Sequence, residues 1–530
     1  MSAAVWPSRA AARSIRGMVA SPHAGASSAG LDVLRRGGTA VDAAVAANAL
    51  LAVVYPASCG LGGDALWMVY EPRTRETLCY NGSGAAARRL HARDLRAQGH
   101  RAMPTRGALT VTVPGAVRSW ETLVAAHGRI DLDELLAPAE AAARDGFVVT
   151  DVLAEYVSRN SILLSADAEA ERTFLSRGAP RAGDVIRIPA LAETLRTIRR
   201  SGADGFYVGA VAEAIVRTLN AHGNPMQLED LADNATERVA PVGLAWHDIT
   251  VLAHPPNSQG ALALMALGML ASDGERNPPS WYHLAIEALK RAFDERDQLF
   301  GDPRTMAVSI DDVLKPQALA AMRARIDEAA ARRRSAATTP GGTVGIVAVD
   351  AEGRAVSLLQ SLFMGFGSGL VAAGTGIFLQ NRGACFSLEP GPNELVGGKR
   401  PLHTLSPGMA VRNGSPELVY ATMGGDGQVQ THVQLLHDVY ECGMDLQRAI
   451  DYPRFVYGRD SESAFRDIVR IESRMPATVL GGLAERGHTV VTVGPYDHAL
   501  GHAQGIAIDA DRGTLAGGAD PRADSAALGL

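Results

Sequence analysis

The sequence predicts an α/β protein. Three patterns carry that reading: two helical stretches around Gly37-Gly38 between Ala24 and Val54, amphipathic helical spacing through most of residues 130 to 330, and a switch to period-two, β-branched sequence beginning at Thr343. Helices therefore dominate the first two thirds of the chain and strands the last.

In chain order, Ser27 is placed to cap the first helix, Leu31 and Leu34 share one of its faces, and Ala43 to Val53 is apolar almost throughout, which predicts a buried second helix. Gly60, Gly62 and Gly63 then lead into a strand at Ala65 to Tyr70. That cluster fails as a dinucleotide-binding loop, because the fingerprint follows a strand and opens a helix, whereas this one precedes a strand. Amphipathic helices follow around Leu132 to Arg144, Leu191 to Arg200, Val211 to Leu219 and His283 to Phe293, with a short strand at Ile249 to Ala253 stopped by Pro255-Pro256. From Arg332 to Gly342 the sequence RRRSAATTPGG loses periodicity and fills with small, polar and chain-breaking residues, which marks a linker. Directly after it, Thr343 to Val349, a turn at Asp350 to Gly353, and Ala355 to Phe363 read as a hairpin that starts at Thr343. A helix near Val429 to Tyr440 and a strand including Ile506 to Ile508 complete the pattern, with no tandem repeat.

With 530 residues, 47% hydrophobic, the chain is large enough to bury an ample core without covalent staples. A net charge of −6 with dispersed basic residues argues against a nucleic-acid partner, and the run Arg323 to Arg334, which also holds Asp327 and Glu328, reads as a solvated helix face. Cys59, Cys79, Cys385 and Cys442 show neither a CxxC pair nor scaffold-like spacing, which points to a reducing compartment. No stretch approaches 18 uninterrupted apolar residues, and the N-terminal residues, although they carry Arg9, Arg13 and Arg16, have no apolar signal core. These features predict a cytoplasmic protein without a membrane partner; the Arg-, Ser- and Ala-rich start leaves a transit peptide as the alternative.

The common hydrolase and nucleotide motifs GxSxG, HExxH and GxxxxGK[ST] are missing. His498 and His502 have metal-like spacing but lack an acidic third ligand in a helical context, so no metal site and no cofactor are expected. Thr343 is the residue with chemistry to offer. A Pro-Gly-Gly approach delivers its hydroxyl to the start of a strand, and Gly342 permits the backbone strain in which a hydroxyl attacks the preceding carbonyl. Cutting that peptide would free an α-amine, whose ordinary pKa is about 8, to act as base for the hydroxyl of its own residue. Threonine also opens strands routinely, so the local pattern leaves both readings open.

The stretches GMVASPHAGASSAGLDVLRRGGTAVDAAVAANALLAVVYPASCGLGG (17 to 63), TVPGAV (112 to 117), APAEAAARDGF (137 to 147), PPNSQG (255 to 260), EALKRAFDERDQLFGDP (287 to 303), TVGIVAVDAEGRAVS (343 to 357), KRPLHTLSPGM (399 to 409), MGGDGQ (423 to 428) and GGADPRADSAALG (517 to 529) resemble, in order, the γ-glutamyltransferase (glutathione hydrolase) family of N-terminal-nucleophile hydrolases. The resemblance implies an αββα four-layer sandwich of α/β (α+β) class. It also implies a zymogen that cuts itself between Gly342 and Thr343 into a larger chain, 1–342, and a smaller one, 343–530, which form one intertwined domain. It places the nucleophile on Thr343, a hydroxyl that assists the nucleophile's amine on Ser361, and an oxyanion hole on the backbone N–H groups of Gly424 and Gly425. A dimer of such heterodimers is left open.

Departures from the family bear on the substrate. Phe363 and Cys385 stand where γ-glutamyl enzymes carry an asparagine and an aspartate for the substrate's amino-acid head, and His403-Thr404 replace a serine pair. The family's carboxylate-binding arginine falls near Arg88, Arg89 and Arg93 without a unique match. Losing an acid that pairs with an ammonium disfavours a γ-glutamyl head. The pattern is similar instead to the branch of the family containing oxamate amidohydrolase, which implies hydrolysis of a small carboxylate-bearing amide. Arg382, Arg400 and His403 are the candidates to meet that carboxylate, with Thr404, Phe363 and Cys385 lining the same site. γ-Glutamyl transfer, acylase action on a dicarboxylic side-chain amide as in cephalosporin acylases, and an uncleaved non-catalytic homologue are the competing readings.

Overall fold

A computed structural model describes residues 9–271, 277–334, 341–461 and 464–530. Two antiparallel sheets of seven strands each dominate it. The strand order in one is Ala526–Gly529, Met18–Ser21, Gly342–Val349, Ala355–Phe363, Asp64–Glu71, Glu76–Gly82 and Glu237–Val239, so the hairpin at Thr343 occupies its centre. The other runs Ala12–Ser14, Thr514–Ala519, Ala503–Asp509, Ser415–Thr422, Gly408–Arg412, Ile249–Ala253 and Val242–Trp246.

Strand alternation fixes how these sheets stack, because successive side chains point to opposite faces. From the hairpin sheet Met18, Met68, Val347 and Leu359 meet Met409, Val419 and Ile506 of the second sheet in one apolar layer. The neighbouring residues Val19, Trp67, Ile346 and Leu358 face the other way, into a core that includes the Ala24–Arg35 and Ala40–Val54 helices. Likewise Val251, Ala410 and Leu418 pack outward against the helices Ala261–Leu270, Pro278–Leu299 and Gly427–Leu436. The result is the four-layer αββα order. Strands from before and after Gly342 are interleaved within the hairpin sheet, Met18–Ser21 lying between Ala526–Gly529 and Gly342–Val349, so a cut at that residue would leave both pieces in one core.

The Ala40–Val54 helix is held at its start by a reciprocal cap, Thr39 Oγ1 accepting from the Asp42 amide and the Asp42 carboxylate accepting from the Thr39 amide. All its residues except Leu50 are buried, in keeping with its apolar sequence. Three expectations are corrected. Ser27 lies inside the first helix, which starts at Ala24 with His23 as its cap; the Ser27 hydroxyl instead bonds Ser21 Oγ and Ala526 O, each at 2.8 Å. The helix Pro316–Arg323 ends where the basic run begins, because the chain then folds back along Pro278–Leu299. There Asp294 and Asp297, one turn apart, take the buried Arg334, and Asp294 also takes Arg332. The proposed linker therefore begins in an ion-paired segment, and its residues 335–340 lie outside the described residues.

Candidate active site

The hairpin register shifts at the site itself. Val344 faces Gln360 and Gly342 faces Phe363, so Ser361 and Leu362 together oppose Thr343 in a β-bulge. Such a bulge re-aims the side chains beside it. Phe363, just past it, has φ +79, a left-handed backbone that a non-glycine residue holds only under constraint. The Phe363 amide donates to Ser361 Oγ at 2.7 Å and so fixes the serine's position.

Thr343 is 1% exposed, and its Oγ1 donates to Ser361 Oγ at 3.3 Å while accepting from Gln428 Nε2 at 3.5 Å. The Gln428 amide is oriented by its other end, where Oε1 accepts from the Ser406 N–H at 3.0 Å. Ser361 Oγ in turn donates to the Gly342 carbonyl at 2.6 Å. A hydroxyl has one proton, so with it committed to Gly342 O, Ser361 must accept from Thr343. One serine thus connects the Thr343 hydroxyl to the carbonyl oxygen of the peptide just before it.

Gly424 and Gly425 have φ +139 and +56, the latter in the left-handed region that favours glycine. Their turn is held from below, as the Gly425 carbonyl accepts from Gln259 Nε2 at 3.0 Å, and Gln259 Oε1 accepts from Arg296, itself ion-paired with Asp426 at 2.5 Å. The chain ahead of Thr343 lies on this turn: a Cβ on Gly341 would come within 3.3 Å of the Gly425 nitrogen. The acyl side of the Gly342–Thr343 peptide and the glycine pair are therefore adjacent.

Arg382 is 0% exposed. Its Nη1 donates to Thr404 Oγ1 at 2.9 Å and reaches Cys385 Sγ at 3.8 Å, its Nη2 lies 3.5 Å from Ser361 Oγ, and its guanidinium stands 4.2 Å over the Phe363 ring. No carboxylate among the described residues forms an ion pair with it, and its Nε has no acceptor. Burial lowers its pKa, with Cys385 and Asp64 the nearest opposing influences. A buried guanidinium without a carboxylate is an anion-binding group in waiting.

Asp64 faces Ser361 across the strand pair. Its Oδ1 accepts from the Gly84 and Gly115 amides, both at 3.2 Å, and its Oδ2 from His403 Nε2 at 3.1 Å. The Leu405 N–H donates to His403 Nδ1 at 3.3 Å, which puts the imidazole proton on Nε2 and, with burial, holds His403 neutral, well below its ordinary pKa. Burial pushes the Asp64 carboxyl up to about 7, against the pull of Arg382.

The structure thus brings together Gly342, Thr343, Ser361, Phe363, Arg382, Cys385 and Thr404, with Gly425 against the approach to the Gly342–Thr343 peptide. His403 sits behind the site on Asp64 rather than facing Thr343 directly. Arg400 does not join it: its guanidinium is taken by Ser83 O at 2.8 Å and Glu237 at 2.6 Å. Asp64, Gln428 and Gln259 were not singled out from the sequence. The signal for Asp64 was the glycine cluster before it: a Cβ on Gly63 would lie 2.5 Å from Ser361 O, so that cluster serves close strand approach.

The chain matches the family described as gamma-glutamyltranspeptidase over residues 26–530. It is 38% identical to the glutathione hydrolase-like YwrD proenzyme of Bacillus subtilis over 97% of this chain and 98% of that one. It is equally 38% identical to the oxamate amidohydrolase proenzyme of Klebsiella pneumoniae, over 97% of this chain and 99% of that one. Among solved structures, cephalosporin acylase from Bacillus halodurans superposes with a TM-score of 0.92 at 34% identity, covering 100% of this chain and 99% of that chain.

Proposed function

This chain belongs to the gamma-glutamyltranspeptidase family, and from that premise we propose that it is a self-processing amidohydrolase whose nucleophile is Thr343 and whose substrate is a small amide bearing a carboxylate, oxamate above others. In the precursor, Thr343 Oγ1 attacks the Gly342 carbonyl carbon while Ser361 donates to the carbonyl oxygen. The C–N bond breaks as the nitrogen takes a proton, and water then hydrolyses the resulting ester, leaving a Gly342 carboxylate and a free Thr343. The larger chain then runs over 1–342 and the smaller over 343–530. In turnover the new α-amine takes the Thr343 hydroxyl proton, and the acyl oxygen of the substrate turns towards the Gly424-Gly425 amides that the departing Gly341 segment uncovers. Removing one such donor from a hydrolase raises the barrier by roughly 2.7 to 4 kcal/mol.

The observation that carries the substrate class is Arg382, buried beside Ser361 with no carboxylate among the described residues in an ion pair with it. A carboxylate next to a scissile amide would complete it, and oxamate places the two on adjacent carbons. Cys385, whose thiol burial pushes up, offers no anion for an ammonium, which disfavours a γ-glutamyl head. The similarity to cephalosporin acylase favours a dicarboxylic side-chain amide as the second reading, its distal carboxylate on the same arginine. Measuring ammonia release from oxamate and from oxamide, its carboxylate-free analogue, beside γ-glutamyl-p-nitroanilide turnover tests the proposal. Oxamate should be preferred over both by kcat/KM; equal use of oxamide, or a preference for the γ-glutamyl compound, would overturn it.

A further inference from the structure

On the other side of the second sheet the helix Gly427–Leu436 widens into a π-turn, His437–Glu441, closed by the Cys442 amide donating to His437 O at 3.0 Å. Such turns recur at functional positions because the extra residue redirects side chains. Here it brings one imidazole, one carboxylate and one thiol together: His437, Asp438 and Cys442 each offer a ligand atom within 4.8 Å of the others. They border a cavity of about 570 Å³ also lined by His247, Trp281 and Tyr282. We propose that this pocket binds one zinc-class divalent ion through His437 Nε2, Asp438 and Cys442 Sγ, with a fourth coordination position open to the cavity.

Four observations support it. His437 Nε2 and Cys442 Sγ are 3.3 Å apart; a tetrahedral zinc with Zn–N of about 2.0 Å and Zn–S of about 2.3 Å places such a pair roughly 3.5 Å apart. Glu441 accepts from His437 Nδ1, which fixes the tautomer and turns the Nε2 lone pair towards the thiol, the outer-shell carboxylate arrangement that orients metal-bound histidines. The other Glu441 oxygen is held by His247 Nε2 at 3.0 Å, and the Trp281 ring stacks on the His437 imidazole at 3.6 Å, so the ligand is fixed on both sides. Asp438 is 6% exposed, and no group among the described residues donates a hydrogen bond to its carboxylate.

Because a coordinating thiol binds as thiolate, binding of the ion would release the Cys442 proton to solvent. A thiolate with an imidazole and a single carboxylate suits zinc over calcium or magnesium, which take oxygen ligands. The second group with suitable residues, His283, Glu287 and His488, is already satisfied: the two imidazoles bond each other at 2.8 Å, His283 Nε2 bonds Asp327 O at 2.8 Å, and Glu287 holds Lys290 at 2.8 Å.

Chelator-treated full-length protein titrated with Co²⁺ tests this. One equivalent should give tetrahedral visible bands and a thiolate-to-cobalt charge-transfer band in the near ultraviolet, all abolished by added Zn²⁺. Cys442→Ser, a change at an exposed side chain, should remove the charge-transfer band, and Asp438→Asn should weaken binding at least about tenfold. Circular dichroism and thermal midpoint establish that both variants are folded. Absence of a stoichiometric cobalt complex in the wild type, or a charge-transfer band that survives in folded Cys442→Ser, would overturn the proposal.

Discussion

In the function proposed above, Arg382 and Asp64 are the buried charged groups that would decide what the site accepts. Hydrogen bonds to charged groups contribute about 1.5 to 3 kcal/mol, so Arg382→Gln should raise KM for oxamate about ten- to hundredfold, leave self-cleavage largely intact, and change oxamide turnover little. An equal loss on both amides would mean that Arg382 supports the fold rather than the substrate. Asp64 adds a pH dependence. Its pKa is raised to about 7, so below that value it is neutral and Arg382 is available to a carboxylate; as pH rises through it, a new anion near Arg382 competes with the substrate. KM for oxamate should therefore increase as pH passes neutrality in the wild type and stay level in Asp64→Asn, measured relative to oxamide at each pH. Thr343, Ser361 and Gly425 were named in the sequence through the family resemblance, and Arg382 as one of three candidates to meet a carboxylate; the structure places Thr343, Ser361 and Arg382 side by side. Asp64 was not named, because its meaning depends on His403, 339 residues further along the chain. Arg400 failed to join for the converse reason: a motif neighbour of His403, it is turned away by Ser83 and Glu237, contacts that no local pattern encodes.

At the scale of elements, the bulge opposite Thr343 and the close strand beside it act together. Period-two, β-branched sequence made the hairpin legible, and short apolar runs bounded by glycines or prolines did the same for the strands at Ala65 to Tyr70 and Ile249–Ala253. The bulge was invisible, because nothing in QSLF marks the extra residue or the positive φ at Phe363. The basic run after Arg323 was misread as helix because its partners, Asp294 and Asp297, lie on another element. Gly63→Ala tests the coupling between the strands. Its Cβ would meet Ser361 O at 2.5 Å, so one strand must shift. A destabilisation of about 1 to 3 kcal/mol is expected from such overpacking, together with slower cleavage, because the shift moves the serine that bridges Thr343 and Gly342. A variant with a lowered thermal midpoint but unchanged cleavage rate would separate Ser361 from processing.

Across the whole molecule, the hairpin sheet interleaves strands from both sides of Gly342, and that interleaving was implied by family resemblance rather than by any boundary in composition. Its consequence is that cleavage should not release either chain: the two should elute as one species from a sizing column under native conditions and part only in denaturant. Buried sheets on both faces of the cut make dissociation equivalent to unfolding. The account stands on Thr343 being both the cut site and the nucleophile. Its most direct test is intact mass and N-terminal sequencing of purified wild-type protein beside Thr343→Ala, with oxamate hydrolysis measured on the same samples. The expected result is a smaller chain beginning at Thr343 in the wild type, and in Thr343→Ala a single uncut chain with activity lower by at least about a thousandfold. Active wild-type protein that remains one chain, or an alanine variant that still cuts at Gly342 and hydrolyses oxamate, would contradict it.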